Sequence, residues 1–173
     1  MDRDAEYSDA KIDDEDLARL AQLARLDREK FFARNPALAR LYHDRVICVA
    51  LCQGAALHYV DGCNGVKDFD VWTFFAEHAA HRFPRRPVTH ADFGPSKFGK
   101  NPNDVGYVGR RVDFLMRGVA CEPEAETVTV LCEYLSRPLT KSAWELAKKA
   151  AILLEPSTLR GLKIWPLEAA GRE

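Results

Sequence analysis

The fold of this chain is decided by residues 66–72, Val66-Lys67-Asp68-Phe69-Asp70-Val71-Trp72. Acidic and apolar side chains alternate here, which is typical of a β-strand with one polar and one apolar face. Asp68 and Asp70 are therefore expected to share a face. Successive residues on one face of a strand lie roughly 6.5–7 Å apart, so two carboxylates can share divalent ions held at about 2.0–2.1 Å from each oxygen. The stretch predicts both a strand and a candidate metal site.

The strands on either side follow from two further patterns. A continuous apolar run at 46–52, Val46-Ile47-Cys48-Val49-Ala50-Leu51-Cys52, indicates a central strand that is covered on both faces. Gln53-Gly54-Ala55 then leads into a short helix, and Asp-Gly and Asn-Gly turns return the chain to the acidic strand. A later strand within 106–117 is expected to carry Asp113 on the same face as Arg111. A third acid thus reaches the sheet.

Helices are predicted at both ends of the chain. Leucines at helical spacing predict N-terminal helices over 14–43, interrupted at Asn35-Pro36. A capping-box pattern, Ser142 followed by Glu145, predicts a C-terminal helix over 142–155 that Pro156 ends.

The remaining segments are assigned from composition. We expect a short helix from about residue 76 to Arg82 and a long loop or lid over 84–109, which is rich in Pro, Gly and Asn. Thr127–Leu135 is expected to be a strand or a strand–helix junction, and Leu162–Trp165 an edge strand.

These elements predict an α+β fold with a small, mixed, twisted sheet built from strands near 46–52, 66–75 and 106–117. The chain has 173 residues, of which 47% are hydrophobic, and this suits one domain. We expect a flexible acidic tail at 1–13 and a single domain over 14–173 with its core at about 45–117.

Charge and cysteine content exclude several classes of protein. The net charge is -1, so no global signature of polyanion binding is present, although residues 1–16 are acidic and 82–117 basic. No secretory signal and no membrane-spanning apolar run is recognised, which predicts a cytoplasmic protein without a membrane partner. The five cysteines contain no C-x-x-C pair and are expected to be reduced thiols.

The order of these motifs resembles the nucleotidyltransferase superfamily, which shares the palm fold of DNA polymerase β. The family pattern is a hydrophobic residue, Gly, then Gly or Ser, 9–13 residues, Asp-h-[Asp/Glu]-h, and a third carboxylate on a later strand. In this chain it is carried by Gly54-Ala55, twelve intervening residues, Asp68-Phe69-Asp70-Val71, and Asp113 within Arg111-Val112-Asp113-Phe114-Leu115. The resemblance covers about residues 45–117.

The resemblance implies a metal-dependent transfer of a nucleoside monophosphate from an NTP, with ATP as the expected donor, to a hydroxyl acceptor. Asp68, Asp70 and Asp113 would be the catalytic residues and would hold Mg²⁺ or Mn²⁺. Two such ions neutralise the attacking and leaving oxygens of an in-line displacement. The nucleotide-binding residues would be Gln53, Gly54, Ala55 and Lys67, with the turn at Gly54 cradling the triphosphate as helix N-termini do.

The acceptor is not identified by the sequence and would be a small molecule, an RNA end or a protein. Because the chain has little room for a separate acceptor domain, a homodimer or a partner subunit is expected to complete the cleft. One departure from the family pattern matters. Position 55 is Ala, where active members usually carry Ser, so a hydroxyl contact to the phosphates is missing.

Other interpretations stay open at this point. The chain could be an inactive nucleotidyltransferase-like module that binds nucleotide, nucleic acid or a protein, which Ala55 favours, or a metal-dependent nuclease that uses Lys67. Asp113 could pair with a neighbouring arginine (Arg110, Arg111 or Arg117), and Gly54 could simply end a strand. The basic, aromatic segment at 82–101 could hold phosphates or be a solvated loop.

Overall fold

The computed structural model describes residues 4–167. Across this range the chain forms five α-helices and six β-strands, together with two 3₁₀ turns at His43–Arg45 and Ser157–Leu159. The elements in chain order are α1 (Asp14–Arg34), α2 (Pro36–Tyr42), β1 (Val46–Cys52), α3 (Gln53–Asp61), β2 (Phe69–Ala76), β3 (Thr89–Asp92), β4 (Arg111–Val119), α4 (Thr127–Ser136), α5 (Lys141–Ala147), β5 (Ala150–Glu155) and β6 (Lys163–Trp165).

All six strands belong to one mixed sheet with the order β3-β4-β2-β1-β5-β6. β2 and β4 run parallel, and the other neighbouring pairs are antiparallel. The expected mixed α/β architecture is confirmed, with two strands, β3 and β5, that the sequence patterns did not predict. Because β2 and β4 are parallel neighbours, their starting ends meet at one edge of the sheet, and Asp70 is the register partner of Asp113.

The sheet is covered on both faces, as the unbroken apolar run of β1 predicts. On one face, Leu17 and Leu20 of α1 and Ala56 of α3 pack with Leu51 and Val71 of the sheet. The opposite face packs against α4 and α5 through a second set of buried residues, which includes Ala50, Trp72, Leu131, Leu135, Leu146 and Leu153. Burial on both faces excludes water from the central strands and fixes their register.

Local signals account for the start of α1 and for the end of α3. α1 begins with a capping box, in which the Asp16 backbone N–H donates to Asp13 at 3.1 Å and the Asp13 backbone N–H donates to Asp16 at 2.8 Å. α3 ends at Gly62, whose φ of 67° lies in the left-handed region that a glycine adopts without steric cost.

The predicted C-terminal helix over 142–155 is wrong beyond its first turns. α5 ends at Ala147, Thr140 rather than Ser142 caps it, and Ala150–Glu155 forms β5. A short, fully apolar run fits a buried helix and a buried strand equally well by periodicity. Pairing with the central strand β1 decides the outcome.

Two further segments differ from the expectation. Thr127–Ser136 is helix α4, although its β-branched residues favoured a strand, because Glu126 caps it by accepting hydrogen bonds from the N–H groups of Val128 and Thr129. The helix expected up to Arg82 is absent, since β2 continues to Ala76 and residues 77–88 contain no helix. The long loop predicted at 84–109 contains strand β3.

Residues 5–12, within the predicted flexible tail of 1–13, pack against the domain, while residues 1–3 lie outside the described residues. Ser8 exchanges backbone hydrogen bonds of 2.9 and 2.8 Å with Val66, and the side chain of Ile12 is buried. The N-terminal helices and the edge strand near residues 162–165 lie where the sequence predicted them.

Two smaller observations complete the fold. Within residues 4–167, no helix combines the length and the apolar character that crossing a bilayer requires. All five cysteines are free thiols, with Cys48 and Cys52 buried in β1. Burial raises the pKa of both of these thiols above the ordinary value, so they stay protonated.

Candidate active site

Asp68, Asp70 and Asp113, which we call the acid cluster, meet at the edge of the sheet where β2 and β4 begin. Asp68 directly precedes β2, Asp70 is its second residue, and Asp113 lies opposite Asp70 on β4. Their apolar neighbours Phe69 and Val112 point to the opposite, fully buried face. Strand alternation thus brings all three predicted acids to one place.

The guanidinium group of Arg111 lies between two of these acids. Its Nε and Nη2 donate to the two oxygens of Asp113 at 2.7 and 3.1 Å, and Nη2 also lies 3.2 Å from Oδ2 of Asp68. One nitrogen atom thus contacts both carboxylates. The arginine pairing that the sequence left open for Asp113 is therefore present, with Arg111 as the partner. Arg111 and Asp113 share a face because they are two residues apart on β4.

Arg111 also binds a fourth acid that the sequence patterns did not indicate. Its Nη1 donates to Oδ1 of Asp104 at 3.0 Å, and Asp104 lies in the segment between β3 and β4. The second oxygen of Asp104 is buried and has no hydrogen-bond partner among the described residues. A single guanidinium therefore neutralises part of the charge on three carboxylates.

The acids shift one another's ionisation. The pKa of Asp70 is raised to about 7, first by burial and then by the negative charges of Asp68 and Asp113. The pKa of Asp68 is also raised, because burial and the charge of Asp113 outweigh the opposing effect of Arg111. Within residues 4–167, the Asp70 carboxylate forms no hydrogen bond or ion pair at contact distance, so it is the member of the cluster with unused acceptor capacity.

A cleft of about 420 Å³ adjoins the cluster, and the predicted nucleotide-binding residues line it. Its walls include Gln53, Gly54, Ala55, Lys67, Asp68 and Asp70, with Trp72 and Leu115 adding apolar surface. Two larger concavities, of about 610 and 700 Å³, lie elsewhere on the molecule and contain none of these residues. The cleft at the acid cluster is preferred as the site because the acids border it.

The start of helix α3 forms one wall of this cleft. Among the described residues, no side chain caps α3, so the backbone N–H groups of its first turn have no side-chain acceptor there, as in helix starts that bind anions. Gln53 has a φ of 62°, a strained conformation for a residue with a side chain, which is more frequent at functional sites. A Cβ atom on Gly54 would lie 3.2 Å from Nδ2 of Asn64, so glycine keeps this approach open.

Lys149 contributes a cation that the sequence patterns missed. Its Nζ lies 3.8 Å from the position that a Cβ on Gly54 would take, and its charge opposes the raised pKa of Asp70. It lies just before β5, in the stretch that had been predicted as helix. This ammonium group stands beside the uncapped start of α3.

Two predicted nucleotide contacts are arranged differently from the expectation. The side chain of Ala55 is 2% exposed and belongs to the apolar core, so it offers no polar contact. Lys67 lines the cleft, but its Nζ forms an ion pair of 3.1 Å with Glu6. The lysine that a nuclease would need for its attacking water is thus engaged elsewhere.

His90 is a further neighbour of the acid cluster. It lies opposite Asp113 in the β3–β4 register, and its Nδ1 is 2.6 Å from Oδ1 of Asp113. The imidazole is 45% exposed, so it connects the buried acid to solvent. Alternation along β4 places Arg111 on the face of Asp113 from the sequence alone, whereas His90, Asp104 and Lys149 arrive through strand pairing and loop packing.

Several side chains of the basic, aromatic segment at 82–101 form ion pairs or packing contacts with other parts of the protein. Arg86 pairs with Asp27 at 2.9 Å, and Lys97 pairs with Asp16 at 2.8 Å. Phe98 is buried, and Phe83 stacks against Phe75. These contacts favour a structural role for the segment over the alternative of a phosphate-binding surface.

The chemistry of the acid cluster suits Mg²⁺ or Mn²⁺, because these ions prefer carboxylate oxygens. Among residues 4–167, however, no three His, Cys, Asp or Glu side chains are arranged as ligands of one metal ion. The guanidinium of Arg111 occupies oxygens of Asp68 and Asp113 that such an ion would need as ligands. The aspartates fit a divalent ion in donor type but are not arranged as its ligands here, and their positive partner is Arg111.

Comparisons with known proteins add no relative to this geometry. No protein-family model, no curated protein and no solved structure matches the chain. The arguments for function therefore depend on the site itself.

Proposed function

We propose that this protein is a metal-dependent nucleotidyltransferase that moves a nucleoside monophosphate from an NTP to a hydroxyl group. The observation that carries the proposal is the meeting of Asp68, Asp70 and Asp113 beside the uncapped start of α3. Both the family-like order of the motifs and their arrangement in space support it. Asp70 and Asp68 border the cleft, and Asp113 faces them from the neighbouring strand.

In the proposed reaction, different residues bind the phosphates, hold the divalent ions and transfer the proton. The N–H groups at the start of α3 and the ammonium of Lys149 bind the phosphates of the NTP, while Trp72 and Leu115 exclude water from the cleft. Asp68, Asp70 and Asp113 would hold the divalent ions, which when bound neutralise the phosphoryl oxygens and lower the pKa of the attacking hydroxyl. The hydroxyl oxygen forms a bond to the α-phosphorus as the bond to the β-phosphate breaks and pyrophosphate leaves. Asp113 accepts the proton of that hydroxyl, and the exposed His90 hydrogen-bonded to it passes the proton to solvent.

The proposal is tested with the full chain, Mg²⁺ and α-labelled ATP, GTP, CTP and UTP, with and without cell extract as a source of acceptor. We expect label to appear on an acceptor, and Asp70→Asn to lower the rate by roughly 100-fold, since a group that stabilises the transition state is lost. Asp44→Asn is the control, because Asp44 is exposed and remote from the cluster. Release of labelled mononucleotide from DNA or RNA would instead indicate a nuclease.

A second function is favoured by a specific observation and is a nucleotide-binding module without catalysis. Arg111 already neutralises Asp68 and Asp113, and the buried Ala55 provides no hydroxyl group. For such a module, NTP binding would be saturable and would be weakened by Lys149→Gln, while no acceptor would be labelled with any nucleotide or extract.

A further inference from the structure

The position of Arg111 raises the question of how a divalent ion could reach the acid cluster. Nη2 lies 3.2 Å from Oδ2 of Asp68 and 3.1 Å from Oδ2 of Asp113. A divalent ion held by Asp68 and Asp113 would need oxygens of these same carboxylates as ligands, and Nη2 now contacts one oxygen of each. The ion and the guanidinium would therefore compete for the same acceptors.

Asp104 offers the guanidinium a second position. Nη1 is already bonded to Oδ1 of Asp104 at 3.0 Å, and Oδ2 of Asp104 is buried without a hydrogen-bond partner in the described part of the chain. A planar guanidinium can bind both oxygens of one carboxylate. Rotation toward Asp104 would satisfy its free oxygen and would release Asp68 and Asp113.

On the basis of the proposed function, we infer that Arg111 and a divalent metal ion are alternative occupants of the acid cluster, and that Asp104 receives Arg111 when metal binds. Arg111 thus acts as an internal counter-ion that holds the cluster together before metal arrives. Without such a cation, the carboxylates would repel one another in a partly buried place. Metal binding and the Arg111 contacts to Asp68 and Asp113 are therefore in competition.

The test is Mn²⁺ binding to the full chain, followed by the EPR signal of free Mn²⁺ and by the shift of the unfolding temperature. We expect Arg111→Gln to bind Mn²⁺ roughly tenfold more tightly, because the ion no longer has to break charge-assisted hydrogen bonds. Arg111→Lys keeps the positive charge but cannot bind a carboxylate with two parallel N–H groups. Its Mn²⁺ affinity should therefore lie between those of Arg111→Gln and the wild type. This variant also tests the competition if Arg111→Gln does not fold.

Arg117→Gln is the matched control, since Arg117 lies on the same strand and bonds to Ser142 rather than to an acid. Its Mn²⁺ affinity should equal that of the wild type. Asp70→Asn should abolish the tight site in both the wild-type and the Arg111→Gln background, which ties the measured binding to the acid cluster.

Asp104 is tested by combining two changes. Asp104→Asn should weaken Mn²⁺ binding several-fold when Arg111 is present and should have no effect in the Arg111→Gln background, because only the guanidinium uses Asp104. Equal weakening in both backgrounds would show that Asp104 is a metal ligand and would overturn its role as receiver.

The remaining outcomes separate this inference from the proposed function. If Arg111→Gln binds Mn²⁺ no more tightly than the wild type, while Asp70→Asn still abolishes binding, the competition is refuted and a metal site remains. If neither the wild type nor Arg111→Gln binds Mn²⁺ saturably, the metal-dependent function is refuted and the competition with it.

Discussion

At the scale of single residues, Asp70 carries the strongest electrostatic signal of the site. Its pKa of about 7, against 3.8 for an ordinary aspartate, is caused by burial and by the charges of Asp68 and Asp113. The unfolded chain therefore loses the proton of Asp70 near pH 4, whereas the folded protein keeps it up to about pH 7. The contribution of this residue to the stability of the metal-free protein falls as the pH rises across that interval.

Replacing the ionisable group should remove this pH dependence. In the presence of EDTA, we expect Asp70→Asn to be more stable than the wild type at pH 8, by roughly 2–4 kcal/mol, and to differ little from it at pH 4. Urea unfolding at both pH values measures the effect, with Asp44→Asn as an exposed reference. A stability difference that does not change with pH would contradict an electrostatic origin in the ionisation of Asp70.

At the scale of elements, the segment joining β3 to β4 is held by close backbone contacts. Asp92 accepts hydrogen bonds from the N–H groups of Gly94, Val108 and Gly109 at 2.7–2.9 Å. A Cβ on Gly109 would stand only 1.9 Å from the carbonyl oxygen of Gly94. The two chain ends of this segment therefore approach more closely than any other residue would allow, and the segment delivers Asp104 to Arg111.

Substitutions at two glycines of this segment distinguish a steric clash from an unfavourable backbone conformation as the cause of lost stability. Gly109→Ala should lower the free energy of unfolding by about 3 kcal/mol, because backbone atoms have to move. Gly106 has a φ of 90° and open surroundings, so Gly106→Ala should cost about 1 kcal/mol from its backbone conformation alone. Chemical denaturation of both variants provides the measurement. Equal costs would mean that the Gly94–Gly109 contact can relax.

At the scale of the whole molecule, the acidic start of the chain forms ion pairs with basic residues further along. Lys97 of the basic region at 82–117 pairs with Asp16, and Lys67 pairs with Glu6. Arg110, which is fully buried, donates to the backbone carbonyls of Ala5, Glu6 and Phe98 at 2.8–2.9 Å. Several of the acidic and basic side chains thus pair with each other within the fold. The buried Arg110 also joins the N-terminal segment to the segment before β4.

Arg110→Met tests this connection. Methionine keeps the apolar length but removes the Arg110 donors to four backbone carbonyls, those of Ala5, Glu6, Lys67 and Phe98. We therefore expect a loss of about 2–4 kcal/mol in stability and faster hydrogen exchange in residues 4–10. Arg85→Met, at an exposed position, should change neither property. If exchange in residues 4–10 were unaltered by Arg110→Met, contacts other than Arg110 would be holding the segment.

How much of the site could be predicted depends on the range of each signal. The alternation around Asp68 and Asp70 and the apolar run of β1 are local patterns, so both strands were predicted. The apolar run at 150–154 is equally local, but it fits a buried helix and a buried strand alike, and only its pairing with β1 decides between them. The sequence patterns therefore missed strand β5 and the position of Lys149 beside the cleft.

The sequence by itself determined that two acids share a face of β2, that a third lies on β4, and that Gly54 opens the helix between β1 and β2, because side-chain periodicity and turn chemistry act over a few residues. Only the tertiary structure decided that β2 and β4 are parallel neighbours, that His90 contacts Asp113 and that Asp104 binds the guanidinium of Arg111. Strand pairing and loop packing join positions far apart in the chain, and the burial of the whole sheet, rather than any local pattern, sets which of them meet.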